Sequence, residues 1–156
     1  MKLATIRTGS TTTAARIIDD NRAVKLGAED VGKLLRDGTF DEGEEITFAP
    51  SDLAPVIPRP GKIICVGLNY AKHIAEMGHE QPDVPTLFIK YPEALIGAYD
   101  DAEVPSFNAD TLDFEGELAV IVGTRARHAI DGAEHIAGYS VINDYTQRHF
   151  QKRTQQ

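Results

Sequence analysis

The sequence is poor in cysteine and contains no long apolar run. Cys65 is its single cysteine, so the 156-residue chain can form neither an internal disulfide nor a metal site built from several cysteines. No apolar run approaches the roughly 18 to 20 residues that span a bilayer. The first residues, MKLATIRTGSTTT, lack the apolar stretch of a signal peptide. We therefore expect a soluble protein of the reducing cytoplasm that has no membrane partner.

Basic residues are also scarce. The chain has 16 lysines and arginines against 24 aspartates and glutamates, which gives a net charge of −8. A chain of this charge repels a phosphate backbone, and the sequence contains no basic stripe that could override it, so we expect no nucleic-acid partner. With 42% hydrophobic and 26% charged residues, the composition is that of an ordinary globular protein with one full domain or two small ones.

Prolines indicate where the chain divides. The segment PSDLAPVIPRPGK, at residues 50–62, cannot hold a helix, because each proline removes an N–H donor and restricts the residue before it. We interpret it as an extended linker with a domain boundary near residue 58. The predicted regions are a small N-terminal region at 1–58 and a second domain at 59–156.

Short apolar runs separated by glycines and prolines predict the secondary structure. Before the boundary we predict a strand at Lys2–Thr8, its hairpin partner at Arg16–Asp19, a helix at Asp30–Arg36 and a strand starting at Thr47–Phe48. After it we predict strands at 62–66, 86–90, 117–122 and 138–143 and a helix at Tyr70–Met77. A doubly wound fold would need longer helices than these gaps allow. The expected fold class is mainly β with minor helices (α+β).

Two glutamates begin the third strand of the second domain. Glu115 and Glu117 are two residues apart, so both side chains lie on one face of a strand. Adjacent carboxylates repel unless a positive charge lies between them, and a divalent cation such as Mg²⁺, Mn²⁺ or Ca²⁺ suits hard oxygen ligands. The alternative is an exposed strand end with both glutamates in water.

Asp144 follows the fourth strand. Alone it is explained as a turn residue that bonds its own backbone. If the third and fourth strands are neighbours, however, Asp144 can add a third carboxylate to the same ion. Three carboxylates leave one negative charge beyond a dication and leave room for water and substrate oxygens. A carboxylate-rich Ca²⁺-binding β domain is a further interpretation of the same residues.

A histidine and a glutamate are spaced for one face of the short helix. His73 and Glu76 lie at i and i+3, where a carboxylate can stabilise and orient an imidazole that acts as a general base. The alternative is a surface helix with an incidental ion pair. Lys90 ends an apolar strand and could meet an anionic substrate, or it is a strand-end lysine whose ammonium reaches water.

Four segments together resemble the fumarylacetoacetate hydrolase family. They are PGKIICVGLNYAKHIAEMG, PTLFIKYPEALIGAYDD, LDFEGELAVIVG and GYSVINDYTQRHFQ, and they occur in the family's order over residues 60–151. The region at 1–58 resembles the N-terminal extension of the branch that contains 2-hydroxyhepta-2,4-diene-1,7-dioate isomerase and fumarylpyruvate hydrolase. The resemblance implies a mixed β-roll or barrel-like sandwich that assembles as a homodimer.

The resemblance also implies roles for individual residues. It assigns the metal, Mg²⁺ or Mn²⁺ with Ca²⁺ as a substitute, to Glu115, Glu117 and Asp144. It assigns activation of water or transfer of a proton to His73 and Glu76. It assigns contacts with the substrate to Lys90, Arg148 and Gln151.

The implied activity is metal-dependent hydrolysis of a carbon–carbon bond in acylpyruvates or β-diketo acids of aromatic catabolism, through a metal-bound enolate. Isomerisation or decarboxylation of a 2-oxo diacid is the alternative within the family. Because family members continue beyond the position of Gln156, we expect this chain to hold the N-terminal part, with the C-terminal half of the roll missing. A non-catalytic fragment that needs a complementary chain is therefore a third interpretation.

Overall fold

The computed structural model describes residues 1–107, 109–151 and 153. In this part of the chain more residues lie in strands than in helices. The strands are β1 (Leu3–Thr8), β2 (Thr11–Ile17), β3 (Arg22–Lys25), β4 (Glu45–Thr47), β5 (Ile63–Gly67), β6 (Thr86–Lys90), β7 (Leu112–Asp113), β8 (Gly116–Val122), β9 (Ile136–Asn143) and β10 (Thr146–Gln147). The α-helices are α1 (Val31–Asp37), α2 (Ala71–Glu76) and α3 (Arg148–Gln151). Short 3₁₀ helices lie at Pro50–Asp52, Pro92–Ala94, Ala109–Thr111 and Ala133–His135. The predicted fold class, mainly β with minor helices, is confirmed.

The first four strands form one antiparallel sheet in the order β1-β2-β3-β4. A tight turn at Gly9, whose φ of 66° favours glycine, joins β1 to β2. The prediction of a hairpin partner at Arg16–Asp19 was wrong in its bounds, because the partner strand β2 begins at Thr11 and ends at Ile17. It pairs with β1 from Thr8↔Thr11 to Leu3↔Arg16. β3 was not predicted.

The buried core lies on this sheet. Helix α1 starts at Asp30, whose side chain accepts a hydrogen bond from the backbone N–H of Lys33, and ends at Gly38 in the left-handed region. One cluster joins the helix to the sheet through Ala14, Leu26, Val31 and Leu34. A second cluster consists of Ile6, Ala15 and Ala23. Small alanines in the strands let the helix and the connecting segments approach the sheet closely.

The chain divides into two compact units. Residues 1–57 and 96–156 form the first, and residues 58–95 form the second. The division at residue 58 into an N-terminal region and a second domain stays a prediction. Within the second unit, β5 pairs antiparallel with β6, and α2 lies between them along the chain. None of the helices in the described part of the chain is long and apolar enough to cross a membrane.

Two further strand pairs belong to the first unit. β8 pairs antiparallel with β9, and the two-residue strands β7 and β10 pair with each other. Burial alternates along β8, so that the face with Glu117 and Ala119 is half-buried and the face with Leu118 and Val120 is exposed. This alternation is typical of a strand with one face toward the interior.

The segment that begins at Gly97 packs against the first sheet. Arg7 on β1 donates two hydrogen bonds to the Asp100 carboxylate, at 2.9 and 2.6 Å, and the backbone N–H of Gly97 donates to it at 2.7 Å. A Cβ atom at Gly97 would lie only 2.3 Å from the backbone oxygen of Leu53. The close approach at this position therefore requires glycine.

We expect Gly97→Ala to lower the free energy of unfolding by about 2 kcal/mol, because the added methyl group must displace backbone atoms. Urea unfolding of the two proteins measures the difference. Gly132→Ala is the matched control, since a Cβ atom there meets nothing within 4 Å. Equal stability of the Gly97 and Gly132 variants would contradict the packing described here.

Candidate metal centre

The register of the β8–β9 pair brings two predicted metal ligands together. Gly116 pairs with Asn143, and the backbone N–H of Asp144 donates to the oxygen of Glu115 at 2.8 Å, so Glu115 and Asp144 are opposite each other. Opposite residues of an antiparallel pair project from the same face, and Glu117, two residues along β8, shares it. The three predicted carboxylates therefore lie on one face of the hairpin.

This face is the inner one. Asp144 is only 6% exposed, and Glu115 and Glu117 are half-buried. A carboxylate taken so far out of water needs positive charge or hydrogen-bond donors around it. The residue before Asp144, Asn143, fixes the backbone of Glu115. Its side-chain oxygen accepts a hydrogen bond from the N–H of Glu115 at 2.9 Å.

Arg148, at the start of α3, lies against the carboxylates. Its Nη2 atom is 2.5 Å from Oε1 of Glu115 and 2.8 Å from Oδ2 of Asp113, and its Nε donates to the same Oδ2 at 2.9 Å. The third nitrogen of the guanidinium, Nη1, donates to Oε1 of Gln151 at 3.0 Å. Arg148 and Gln151, both predicted to contact the substrate, thus contact each other.

The ion pair of Asp113 with Arg148 stabilises the charged form of both side chains. The side-chain hydrogen bond from Arg148, assisted by the N–H of Phe114, lowers the pKa of the Asp113 carboxyl. Partial burial opposes the charge of Arg148, but its hydrogen bonds to Asp113 and Glu115 outweigh burial and raise the pKa of the guanidinium. A full positive charge therefore lies beside Glu115.

The donor set suits a hard divalent cation, although the side chains are not gathered around one. Within residues 1–107, 109–151 and 153, no group of three or more histidine, cysteine, aspartate or glutamate side chains is arranged to hold a metal ion. Glu115, Glu117 and Asp144 nevertheless supply carboxylate oxygens from one face, which Mg²⁺ and Mn²⁺ prefer. The cation bound to Glu115 in this structure is the guanidinium of Arg148. The three carboxylates suit such an ion in their chemistry and lie on the same face of the hairpin, and Glu115 forms an ion pair with Arg148.

The second unit carries the predicted catalytic pair. His73 and Glu76 lie one turn apart on α2 and are both exposed, while Ile74 on the same helix is 4% exposed. A cleft of about 260 Å³ beside the helix is lined by Ile74, Asn69 and the segment 81–85 among others. Lys90 lies at the end of β6, opposite Ile63, and is half-buried.

Two residues that contact Arg148 or the backbone of Glu115 were not predicted. Asp113 shares Arg148 with Glu115, and Asn143 holds the Glu115 backbone. Asp113 could have been found, because it extends the Glu115 and Glu117 spacing by one further step of two residues. Asn143 carries no comparable signal, since an asparagine at a strand end is ordinarily a turn residue.

Comparison with known proteins identifies the family of this chain. The family model described as fumarylacetoacetate (FAA) hydrolase C-terminal matches residues 62–156. Oxaloacetate tautomerase FAHD2A of Homo sapiens is 39% identical over 111 residues, which cover 70% of this chain and 33% of that protein. The chain thus spans about a third of the length of this curated relative.

Solved structures resemble the chain over nearly its whole length. A fumarylacetoacetate hydrolase from Exiguobacterium antarcticum has a TM-score of 0.80 and 29% identity, with 98% of this chain and 58% of that chain covered. A 5-carboxymethyl-2-hydroxymuconate delta-isomerase from Mycobacterium smegmatis has a TM-score of 0.78 and 27% identity, with 100% and 59% covered. With a family model matched over more than half of its residues, the chain belongs to the fumarylacetoacetate hydrolase family.

Proposed function

We propose that this chain carries the cation-binding part of a metal-dependent hydrolase that cleaves a carbon–carbon bond in an acylpyruvate or a related β-diketo acid. The observation that supports it is the β8–β9 register, which puts Glu115, Glu117 and Asp144 on one inner face. Membership of the family supports the general class of reaction. Mg²⁺ or Mn²⁺ is the proposed ion, with Ca²⁺ as a substitute.

The proposed mechanism separates the roles of the residues. A bound dication supplies Lewis-acid polarisation of a 2-oxo acid and stabilises negative charge that develops on the substrate. Glu115, Glu117 and Asp144 hold that ion. His73 takes a proton from water at an imidazole nitrogen as the water oxygen adds to the substrate carbonyl carbon, and Glu76 stabilises the imidazolium that results. When the carbon–carbon bond breaks, the imidazolium returns the proton to the carbon that leaves.

The remaining predicted residues are proposed to bind the substrate. Lys90 and Arg148 carry positive charge, and either can bind a substrate carboxylate. Gln151 can donate a hydrogen bond from its amide to a carbonyl oxygen. Their proposed role is to orient a 2-oxo acid before proton transfer.

A second candidate is keto–enol conversion, or another isomerisation or decarboxylation, of a 2-oxo diacid. It is favoured by the human relative, which is named an oxaloacetate tautomerase and is 39% identical over the shared segment. The same charge stabilisation serves both candidates, because each passes through negative charge on the oxygen of a 2-oxo acid. They differ in the bond that breaks: hydrolysis breaks a carbon–carbon bond with addition of water, decarboxylation breaks one with release of CO₂, and isomerisation breaks none.

The two candidates are separated by following products. The chain is incubated with Mn²⁺ and an acylpyruvate, and then with oxaloacetate, while enol absorbance, pyruvate and CO₂ are measured. Pyruvate released from the acylpyruvate supports the hydrolase. With oxaloacetate, decay of the enol without pyruvate or CO₂ supports the tautomerase, and release of CO₂ supports the decarboxylase. No turnover, with Mn²⁺ bound, would contradict both and would favour a chain that needs a complementary one.

We further propose that the protein acts in the cytoplasm as a homodimer. The single, half-buried Cys65 supports a reducing compartment, because the chain uses no disulfide. Sedimentation at several concentrations tests the dimer.

We expect His73→Ala to lower kcat by at least about 100-fold, the usual range for loss of a general base. Mn²⁺ affinity should stay unchanged, because the imidazole is not among the proposed ligands. His79→Ala, which alters an exposed histidine just after α2, is the matched control and should keep its activity. Loss of Mn²⁺ binding in the His73 variant would show that the residue has another role.

A further inference from the structure

One carboxylate of the proposed cation site is bound to a side chain of the protein itself. The guanidinium of Arg148 lies 2.5 Å from Oε1 of Glu115, and the pair is about one-third exposed on both sides. A charge-assisted contact of this kind holds a carboxylate in place more firmly than a neutral hydrogen bond. The contact uses one lone pair of this oxygen, and a dication that binds the oxygen meets the positive charge of Arg148 beside it.

We infer that Arg148 competes with the divalent cation for Glu115, so that the arginine occupies the cation position until the ion displaces it. The inference rests on the proposed function, because it assumes that Glu115 is a ligand. It adds a role for Arg148 that precedes any contact with substrate: the guanidinium neutralises the acidic face and sets a threshold for binding the ion.

Asp113 makes this exchange feasible. Two of the contacts of Arg148, from Nε at 2.9 Å and from Nη2 at 2.8 Å, go to Oδ2 of Asp113 rather than to Glu115. When Glu115 turns to the ion, the guanidinium keeps these contacts and does not become an unpaired charge. The planar fork of arginine suits such shared binding of two carboxylates, whereas the ammonium of lysine is a single point of charge.

Titration of the full chain with Mn²⁺, followed by calorimetry and by the electron paramagnetic resonance signal of the unbound ion, tests the competition. Arg148→Gln removes the competitor, and we expect it to tighten Mn²⁺ binding by about two- to fivefold, the scale of one partly exposed charge pair. Arg148→Lys should give a smaller increase, and it serves as the test if the glutamine variant does not fold.

A double-mutant cycle shows whether Glu115 is the contested group. In the Glu115→Gln background, Arg148→Gln should no longer tighten binding, because the carboxylate that both cations share has been removed. Arg127→Gln is the matched control, since it removes the same charge from an exposed loop and should change Mn²⁺ affinity little.

The outcomes separate this inference from the proposed function. Binding to the wild-type chain with no gain in Arg148→Gln would overturn the competition and leave the cation site intact. An equal gain with and without Glu115 would also overturn it, because the effect would then be general electrostatics. No Mn²⁺ binding in any variant would overturn the site and the competition together.

Discussion

Replacing Asp144 by asparagine is expected to weaken Mn²⁺ binding by about 100-fold or more, beyond the usual effect of losing a residue that only supports a metal ligand. Asp144 is 6% exposed, and its backbone is fixed opposite Glu115 by a hydrogen bond of 2.8 Å. The amide has nearly the same shape as the carboxylate but carries no charge. The loss should therefore reflect charge at the site, which calorimetric titration with Mn²⁺ measures.

The control for this variant is Asp101→Asn, which makes the same change at an exposed position. It should bind Mn²⁺ as the wild-type chain does. Thermal melting without Mn²⁺ shows whether Asp144→Asn stays folded. Unchanged Mn²⁺ affinity in a folded Asp144 variant would rule out its assignment as a ligand.

Replacing Leu34 by alanine is expected to lower the free energy of unfolding by about 3 kcal/mol, since the buried side chain is lost and a cavity is left. Leu34 is fully buried, and it joins α1 to the sheet in a cluster with Ala14, Leu26 and Val31. Urea unfolding followed by circular dichroism measures the effect.

Leu118→Ala removes the same atoms from a side chain that is 59% exposed on β8, so its effect should be less than half as large. Similar losses of unfolding free energy in the two leucine variants would show that the α1 cluster is not the main source of stability. The comparison also tests whether the region before residue 58, whose sequence pattern is weak, holds the main buried core.

Local signals predicted much of the secondary structure. The apolar run at 86–90 predicted β6 with its observed bounds, and the helix predicted at Asp30–Arg36 is α1 at Val31–Asp37. β3, Arg22–Lys25, is short and charged at both ends, so only its pairing with β2 and β4 makes it a strand. Tertiary context decides such segments.

The buried core was harder to locate than the strands. Ala14, Ala15 and Ala23 are buried almost completely, but alanine gives little hydrophobic signal in a sequence. Thr5 is buried as well, because its hydroxyl donates to the oxygen of Val56 at 2.9 Å. Neither the close packing nor this long-range hydrogen bond can be inferred from spacing.

Only part of the candidate site could be predicted from the spacing of residues in the sequence. The alternation of a strand puts Glu115 and Glu117 on one face, and the observed pairing of β8 with β9 adds Asp144. Their role as metal ligands stays a prediction. Arg148 is 35 residues from Asp113 along the chain, so no local pattern could have indicated their ion pair.

The proposed function depends on binding of a divalent cation by the carboxylates of the β8–β9 hairpin. Paramagnetic broadening by substoichiometric Mn²⁺ in the ¹H–¹⁵N spectrum of the chain tests it directly, because the ion broadens the signals of nearby amides. We expect the amides of Glu115, Glu117 and Asp144 to broaden first. Broadening confined to the exposed acidic stretch at 41–45, with the hairpin signals unchanged, would contradict it.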